Sequence, residues 1–186
     1  MLCHIYLFVL LAGIGIGSVE YIRWCERSLP ASADIPPEIA LTFDDGPHPV
    51  YTKKLLDGLR KRGVKATFFL IGENIEGNEE LVKQMAEDGH LIGNHTWSHN
   101  ARFPLRGERF VREEVERGAK AVGKAANLAG SKRIKLFRPP FGVTNPIIGR
   151  VVRSEGYCSI GWSIRSFDTV ASTPDRKSTR LTPVTQ

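Results

Sequence analysis

Cysteine is nearly missing. Cys3, Cys25 and Cys158 are the only three in 186 residues, too few for a disulfide framework. Histidine is scarce as well: there are five, and none lies beyond His99. No internal repeat and no low-complexity tract is present, which excludes solenoids and repeat arrays. A basic cluster is also lacking. The formal net charge is +6, but Arg102, Arg106, Arg109, Arg112 and Arg117 are interleaved with Glu108, Glu113, Glu114 and Glu116. That run reads as the solvated face of a helix, not as a nucleic-acid or membrane-surface footprint. Hydrophobic residues make up 41% and charged residues 25%, which excludes disorder, collagen and coiled coil as global descriptions. The length suits one domain rather than two.

Both ends differ in character from the middle. Residues 2–19 (LCHIYLFVLLAGIGIGSV) carry no formal charge and are long enough to cross a bilayer. Gly13, Gly15 and Gly17 argue against a buried core helix, so residues 1–19 are expected to be a cleaved signal peptide or an uncleaved anchor. No Lys or Arg precedes the run, while Arg23 and Arg27 follow it. By the positive-inside rule that charge pattern speaks against export; the apolar run speaks for an extracytoplasmic protein, membrane-anchored or secreted. Residues 20–37, with Pro30, Pro36 and Pro37, form a linker. At the other end, Asp175 to Leu181 (DRKSTRL) matches the translation of a common sequencing-library adapter. Loss of one base from that adapter accounts for Leu181 to Thr185. Residues 175–186 are therefore expected to be translated adapter or else a disordered tail, leaving residues 38–174 as the domain.

Between these ends, apolar runs alternate in kind. Glu38 to Asp45 reads as a short buried strand stopped by Gly46-Pro47. Val50 to Arg62 reads as a helix, with Leu55, Leu56 and Leu59 at helical spacing and Gly63 as its stop. Ala66 to Ile71 is a second strand, Asn78 to Asp88 a helix closed by Gly89, and Leu91-Ile92 the start of a third strand. Glu108 to Leu128 repeats apolar residues every three to four positions, as an amphipathic helix does. Ile134 to Phe137 is a strand, Thr144 caps a helix from Pro146 to Glu155, and Tyr157 to Trp162 is the last strand. This β-α alternation predicts an α/β fold with right-handed crossovers and a parallel sheet or barrel. The polar clusters Asp44/Asp45, His95/His99, Arg138 and Asp168 fall after strands, where parallel barrels carry their active sites.

Chemistry concentrates in two of these clusters. His95-Thr96-Trp97-Ser98-His99 sets two imidazoles four residues apart, and beside one carboxylate they suit zinc or another divalent ion with open positions. Asn94-His95-Thr96 is also a glycosylation sequon, a pattern frequent by chance. Adjacent carboxylates such as Asp44 and Asp45 point in opposed directions on a regular strand, unless the strand has already ended in the Gly46-Pro47 turn. Such a pair suits a division of labour in which one residue ligates a metal and the other acts as a base.

Thr42-Phe43-Asp44-Asp45-Gly46-Pro47, His95-x-x-x-His99 within HTWSH, and Arg138-Pro139-Pro140-Phe141-Gly142 resemble, in this order and spacing, the polysaccharide deacetylase family (NodB homology domain, carbohydrate esterase family 4). The resemblance extends over about Ile39 to Thr169. It implies a distorted, incompletely closed (β/α) barrel of the NodB/glycoside hydrolase-deacetylase type, and a metal-dependent hydrolase that removes N-acetyl or O-acetyl groups from an envelope or extracellular polysaccharide such as peptidoglycan or a chitin-like glycan. By the resemblance Asp45, His95 and His99 match the metal triad, with Zn2+ as the default divalent ion. Asp44 matches the catalytic base, and Arg138 the arginine that holds it. The backbone N–H of Phe141 matches an oxyanion donor, and Asp168 the second acid of an Asp-x-x-Asp-Trp motif. The sequence departs from the family at Arg165 and Thr169, where that motif has its first acid and its tryptophan, and the late general-acid histidine is absent. These departures agree with a C-terminally truncated chain, which is expected to be poorly soluble or inactive. The alternatives are a non-catalytic metal- or glycan-binding remnant and a hydrolase of other non-peptide C–N bonds. An N-acetylated polysaccharide is the expected partner, the membrane a further one through residues 1–19, and nucleic acid is not.

Overall fold

The computed structural model describes residues 40–128 and 134–162. Residues 1–37, Arg165, Asp168 and Thr169, and residues 175–186, for which the sequence sets expectations, lie outside these. Within the described residues, no helix is long and apolar enough to cross a membrane.

Five strands, β1 (Thr42–Gly46), β2 (Thr67–Leu70), β3 (Leu91–Asn94), β4 (Leu136–Phe137) and β5 (Cys158–Ser159), form one sheet in the order β1-β2-β3-β4-β5. All four pairings are parallel. Four helices connect them: α1 (Tyr51–Lys61), α2 (Glu79–Glu87), α3 (Glu108–Ala125) and α4 (Pro146–Ser154). This is the alternating α/β architecture expected of the sequence, with a sheet that is not closed among the described residues.

The local reasons are readable. β2 is Thr-Phe-Phe-Leu, with its last three residues buried, as a strand covered on both faces requires. Helix α1 buries Leu56 and Leu59, and the chain leaves it through Gly63 at φ 65°, a left-handed conformation that glycine adopts at little cost. Leu56, Phe68, Leu70, Val82, Met85 and Val122 pack into one buried cluster, and Phe103, Val111, Val115, Phe137, Ile148 and Val151 into another. Helix α3 contributes to both and so bridges the two halves of the core.

Several expectations need correction. Thr144 does not cap α4; the side chain of Asn145 does, accepting a hydrogen bond from the Ile148 N–H at 2.9 Å. Asn145 directly precedes Pro146 and so occupies the cap position, where a short side-chain acceptor reaches the N3 amide. The strand read over Tyr157 to Trp162 is paired only at Cys158–Ser159. Three short 3-10 turns, Gly72–Ile75, Phe103–Leu105 and Pro140–Gly142, add to the expected elements, since single turns leave no periodicity to read. Glu114 does not belong to the solvated face of its helix: it is 5% exposed.

Candidate metal centre and active site

The carboxyl ends of β1, β3, β4 and β5 converge, and each delivers a different kind of group. β1 delivers both aspartates. Thr42 pairs with Thr67 and Phe43 with Phe68, yet Gly46 pairs with Leu70, so β1 takes one more residue than β2 over the same span. This is a β-bulge, which breaks the alternation of side chains. Asp45 sits inside it at φ 66°. The strand thus neither ends before the pair nor sends the two carboxylates to opposite faces by simple pleating. Asp44 meets Arg138, and Asp45 meets the imidazoles.

His95 follows the last residue of β3 and is buried, while His99 lies at the end of the loop that begins there. Both Nε2 atoms are 3.4 Å from Asp45 Oδ1, and one ligand atom from each of the three residues lies within 4.8 Å of the others. His95 Nδ1 is 2.6 Å from the Arg138 carbonyl oxygen. A carbonyl can only accept, so Nδ1 carries a proton there and Nε2 is the ring atom turned toward Asp45. Burial, helped by the neighbouring His95, pushes the His99 imidazolium below its ordinary value of 6.5, against the pull of Asp45 and Asp44. A hydrogen bond with His95 holds the Asp45 carboxyl below its ordinary 3.8, against the effect of burial.

Two imidazole nitrogens and a carboxylate oxygen that face one point are a donor set that a cation can bridge. The residues present therefore fit a divalent metal. Two nitrogens and one oxygen, with Asp45 exposed, match the three-ligand open sites of catalytic ions rather than the closed four-ligand sites of structural ones.

Arg138 follows β4 and is wholly buried. Its Nη1 donates to Asp44 Oδ1 at 2.6 Å and to Thr42 Oγ1 at 2.9 Å. Its Nε donates to the Ile160 carbonyl at 3.1 Å and its Nη2 to the Gly161 carbonyl at 3.0 Å. The guanidinium lies 4.1 Å from the ring centroid of Phe69 and 4.7 Å from that of Trp162. Burial lowers its pKa and the Asp44 carboxylate raises it. One charged group thereby ties β1, β4 and the exit of β5 together and fixes the rotamer of Asp44.

Phe141 lies in the Pro140–Gly142 turn at φ 59°. Its ring meets His99 edge-on, with centroids 4.7 Å apart. The bonds of the turn run from the Gly142 N–H to Pro139 O and from the Val143 N–H to Pro140 O, so the turn does not consume the Phe141 N–H. Asp168 lies outside the described residues.

The structure also involves residues to which the sequence assigned no role. Asn74 Nδ2 donates to the Asp45 carbonyl at 3.0 Å. Asn94 Oδ1 accepts from the Thr96 N–H at 3.0 Å, while its Nδ2 donates to Val115 O at 2.8 Å. Thr42 had no signal beyond its place in the TFDD run.

The family model described as polysaccharide deacetylase matches residues 32–160. Two peptidoglycan-N-acetylglucosamine deacetylases of Bacillus cereus resemble the chain. One is 38% identical over 143 residues, which cover 77% of this chain and 62% of the relative. The other is 37% identical over 131 residues, covering 70% and 46%. The chain thus spans only about half to three fifths of the length of these curated relatives. Among solved structures, a family 4 carbohydrate esterase from Streptomyces lividans, in complex with acetate, superposes with a TM-score of 0.69 at 32% identity, covering 76% of this chain and 71% of that one. The family model alone takes in well over half of the sequence, together with β1 to β5 and the groups at their carboxyl ends: the chain belongs to the polysaccharide deacetylase family.

Proposed function

We propose that the protein hydrolyses acetyl groups, N-linked in the first instance, from a polysaccharide of the cell envelope, peptidoglycan being the first substrate to test. The observation that carries this reading is the divided environment of two adjacent carboxylates. Asp45 faces two imidazoles, while Asp44 is 2.6 Å from a buried arginine. A binding protein would need the first arrangement only.

Asp45, His95 and His99 would hold a divalent cation, zinc by default, which when bound acts as a Lewis acid that polarises the acetyl carbonyl and acidifies water. Asp44 accepts a proton from the attacking water. One of its oxygens is engaged by Arg138, so the other is the one that faces the reaction. Arg138 keeps that oxygen in register. The Phe141 N–H donates to the oxygen that gains charge as the carbonyl becomes tetrahedral, a contribution of about 10²–10³ in rate for one such donor. The Phe141 ring covers His99 and restricts water at that side.

An extracytoplasmic location, secreted or membrane-anchored, fits this substrate, and the uncharged run at residues 2–19 supports it. The chain's likeness to two peptidoglycan-N-acetylglucosamine deacetylases of Bacillus cereus supports peptidoglycan as the substrate.

The test is acetate release from peptidoglycan and from chitooligosaccharides, with and without a chelator, and with Asp44→Asn. Release should stop on chelation, return with zinc, and fall about 10²–10⁴-fold in the variant, as for loss of a general base. Undiminished release by Asp44→Asn would remove Asp44 from the mechanism. Zinc binding without any acetate release from either substrate would favour a glycan-binding role instead.

A further inference from the structure

Glu114 lies on α3 in the buried stripe that includes Val111, Val115 and Val122. It is 5% exposed, and among the described residues the hydrogen bonds it accepts all come from Ser98: the N–H at 2.9 Å and the hydroxyl, shared between both carboxylate oxygens, at 3.0 Å. Taking a carboxylate out of water is costly unless it is paired and hydrogen-bonded. Packing alone would be served better by another apolar side chain, as at the valines around it.

What Glu114 holds is the loop that joins the two candidate histidine ligands. That loop is strained: Thr96 stands at φ 70° and His99 at φ 49°, and a non-glycine residue in the left-handed region costs about 1–2 kcal/mol. Its first half is tied from outside. Asn94 Oδ1 accepts from the Thr96 N–H, and Thr96 O and Trp97 O accept from the Gly72 and Glu73 N–H groups at 3.0 and 2.9 Å. In the second half Ser98 is tied to α3 through Glu114, and the neighbouring His99 N–H donates to Thr96 Oγ1 at 3.1 Å.

We propose that Glu114 is a positioning residue. Acting through Ser98, its buried carboxylate sets where His99 stands relative to His95 and Asp45, and so the affinity of that trio for a divalent cation. The proposal rests on the metal-binding reading of the trio given above.

The experiment is calorimetric zinc titration of the metal-free protein, wild type against Glu114→Ala, Glu114→Gln and Ser98→Ala, with thermal melting of each in the metal-free form. Loss of an outer-shell partner should weaken zinc binding about 10–100-fold in Glu114→Ala. Glu114→Gln should largely restore it, because the amide oxygen still accepts from the Ser98 N–H and the amide group still meets the hydroxyl. If Glu114→Ala does not fold, Ser98→Ala provides the reading: it removes the hydroxyl contacts, leaves the carboxylate its backbone bond, and should weaken zinc measurably. A lowered melting temperature with unchanged zinc affinity in Glu114→Ala, or in Ser98→Ala where that variant has to stand in, would make the role merely structural and overturn the proposal. Equal loss in Glu114→Gln and Glu114→Ala would also overturn it, since charge rather than geometry would then be at work. Absence of zinc binding by the wild type would instead remove the metal reading itself, and this inference with it.

Discussion

Replacing Arg138 with lysine keeps the positive charge and removes the fork. The guanidinium makes four hydrogen bonds in different directions, to Asp44, Thr42, Ile160 O and Gly161 O. An ammonium is a single point with three protons and cannot reach the Asp44 carboxylate and both carbonyls together. If it keeps Asp44 at the expense of both carbonyls, two bonds are lost. Ile160 and Gly161 are only partly buried, so each lost bond belongs at the low end of the usual range, about 1 kcal/mol. Lysine also gives up the flat contact between the Phe69 and Trp162 rings, about 0.5–1 kcal/mol more. The expected loss is therefore about 2–3 kcal/mol, which shifts a urea midpoint by about 1–2 M at an m-value typical of a small domain. Arg138→Met should be worse, about 3–5 kcal/mol, because Asp44 is then left facing an unpaired site. In acetate release, Arg138→Lys should lower kcat with KM little changed, since the residue acts through Asp44 rather than on the sugar. A wild-type urea midpoint in Arg138→Lys would refute the reasoning: the fork would then be dispensable and the strand-end junction held by something else.

Other consequences can be checked independently. A Cβ on Gly118 would stand 2.5 Å from Asn94 Oδ1 and 2.7 Å from the Thr96 carbonyl; Gly118→Ala should destabilise by about 1–3 kcal/mol, as overpacking does, and should weaken zinc binding, both read by calorimetry. Phe141→Ala leaves the backbone N–H in place and should lower kcat far less than Asp44→Asn; an equal fall would mean that the ring, not the amide, carries the contribution. His90 is buried, its Nδ1 accepting from the Ala66 N–H at 3.2 Å, and burial lowers its pKa from the ordinary 6.5. Below 6.5 the unfolded chain therefore takes up a proton that the folded chain resists, so stability is full above that value and is lost as pH falls through the folded pKa. His90→Gln should flatten this fall in melting temperature between about pH 7 and pH 5; an unchanged profile would exclude His90 as its source.

The alternation of strands and helices was legible because each element buries a face and leaves its period in the sequence. β2 could be read from four consecutive strand-formers, and α3 from apolar residues at every third or fourth position. The candidate site was legible in outline for a related reason: loops after parallel strands gather at one end of a sheet, so Asp44, Asp45, His95, His99 and Arg138 had to lie near one another if the strands paired in parallel. What could not be read was direction. The meeting of Asp44 with Arg138 and of Asp45 with the imidazoles at one site arises from a bulge that depends on pairing with β2, and the inward turn of Glu114 arises from a stripe that its Arg and Glu neighbours mask.

The amino-acid sequence by itself thus determined the order of the elements, the types of group at the strand ends and the family, all of which are carried by local pattern and motif spacing. Likeness to the family also assigned Asp45 to the imidazoles and Asp44 to the arginine, while tertiary structure alone decided the bulge that brings both carboxylates to one site. It also decided which carbonyls the guanidinium satisfies and which glutamate braces the histidine loop. These are contacts between residues far apart in the chain, and their geometry is set by strand register and helix docking, neither of which leaves a periodic trace.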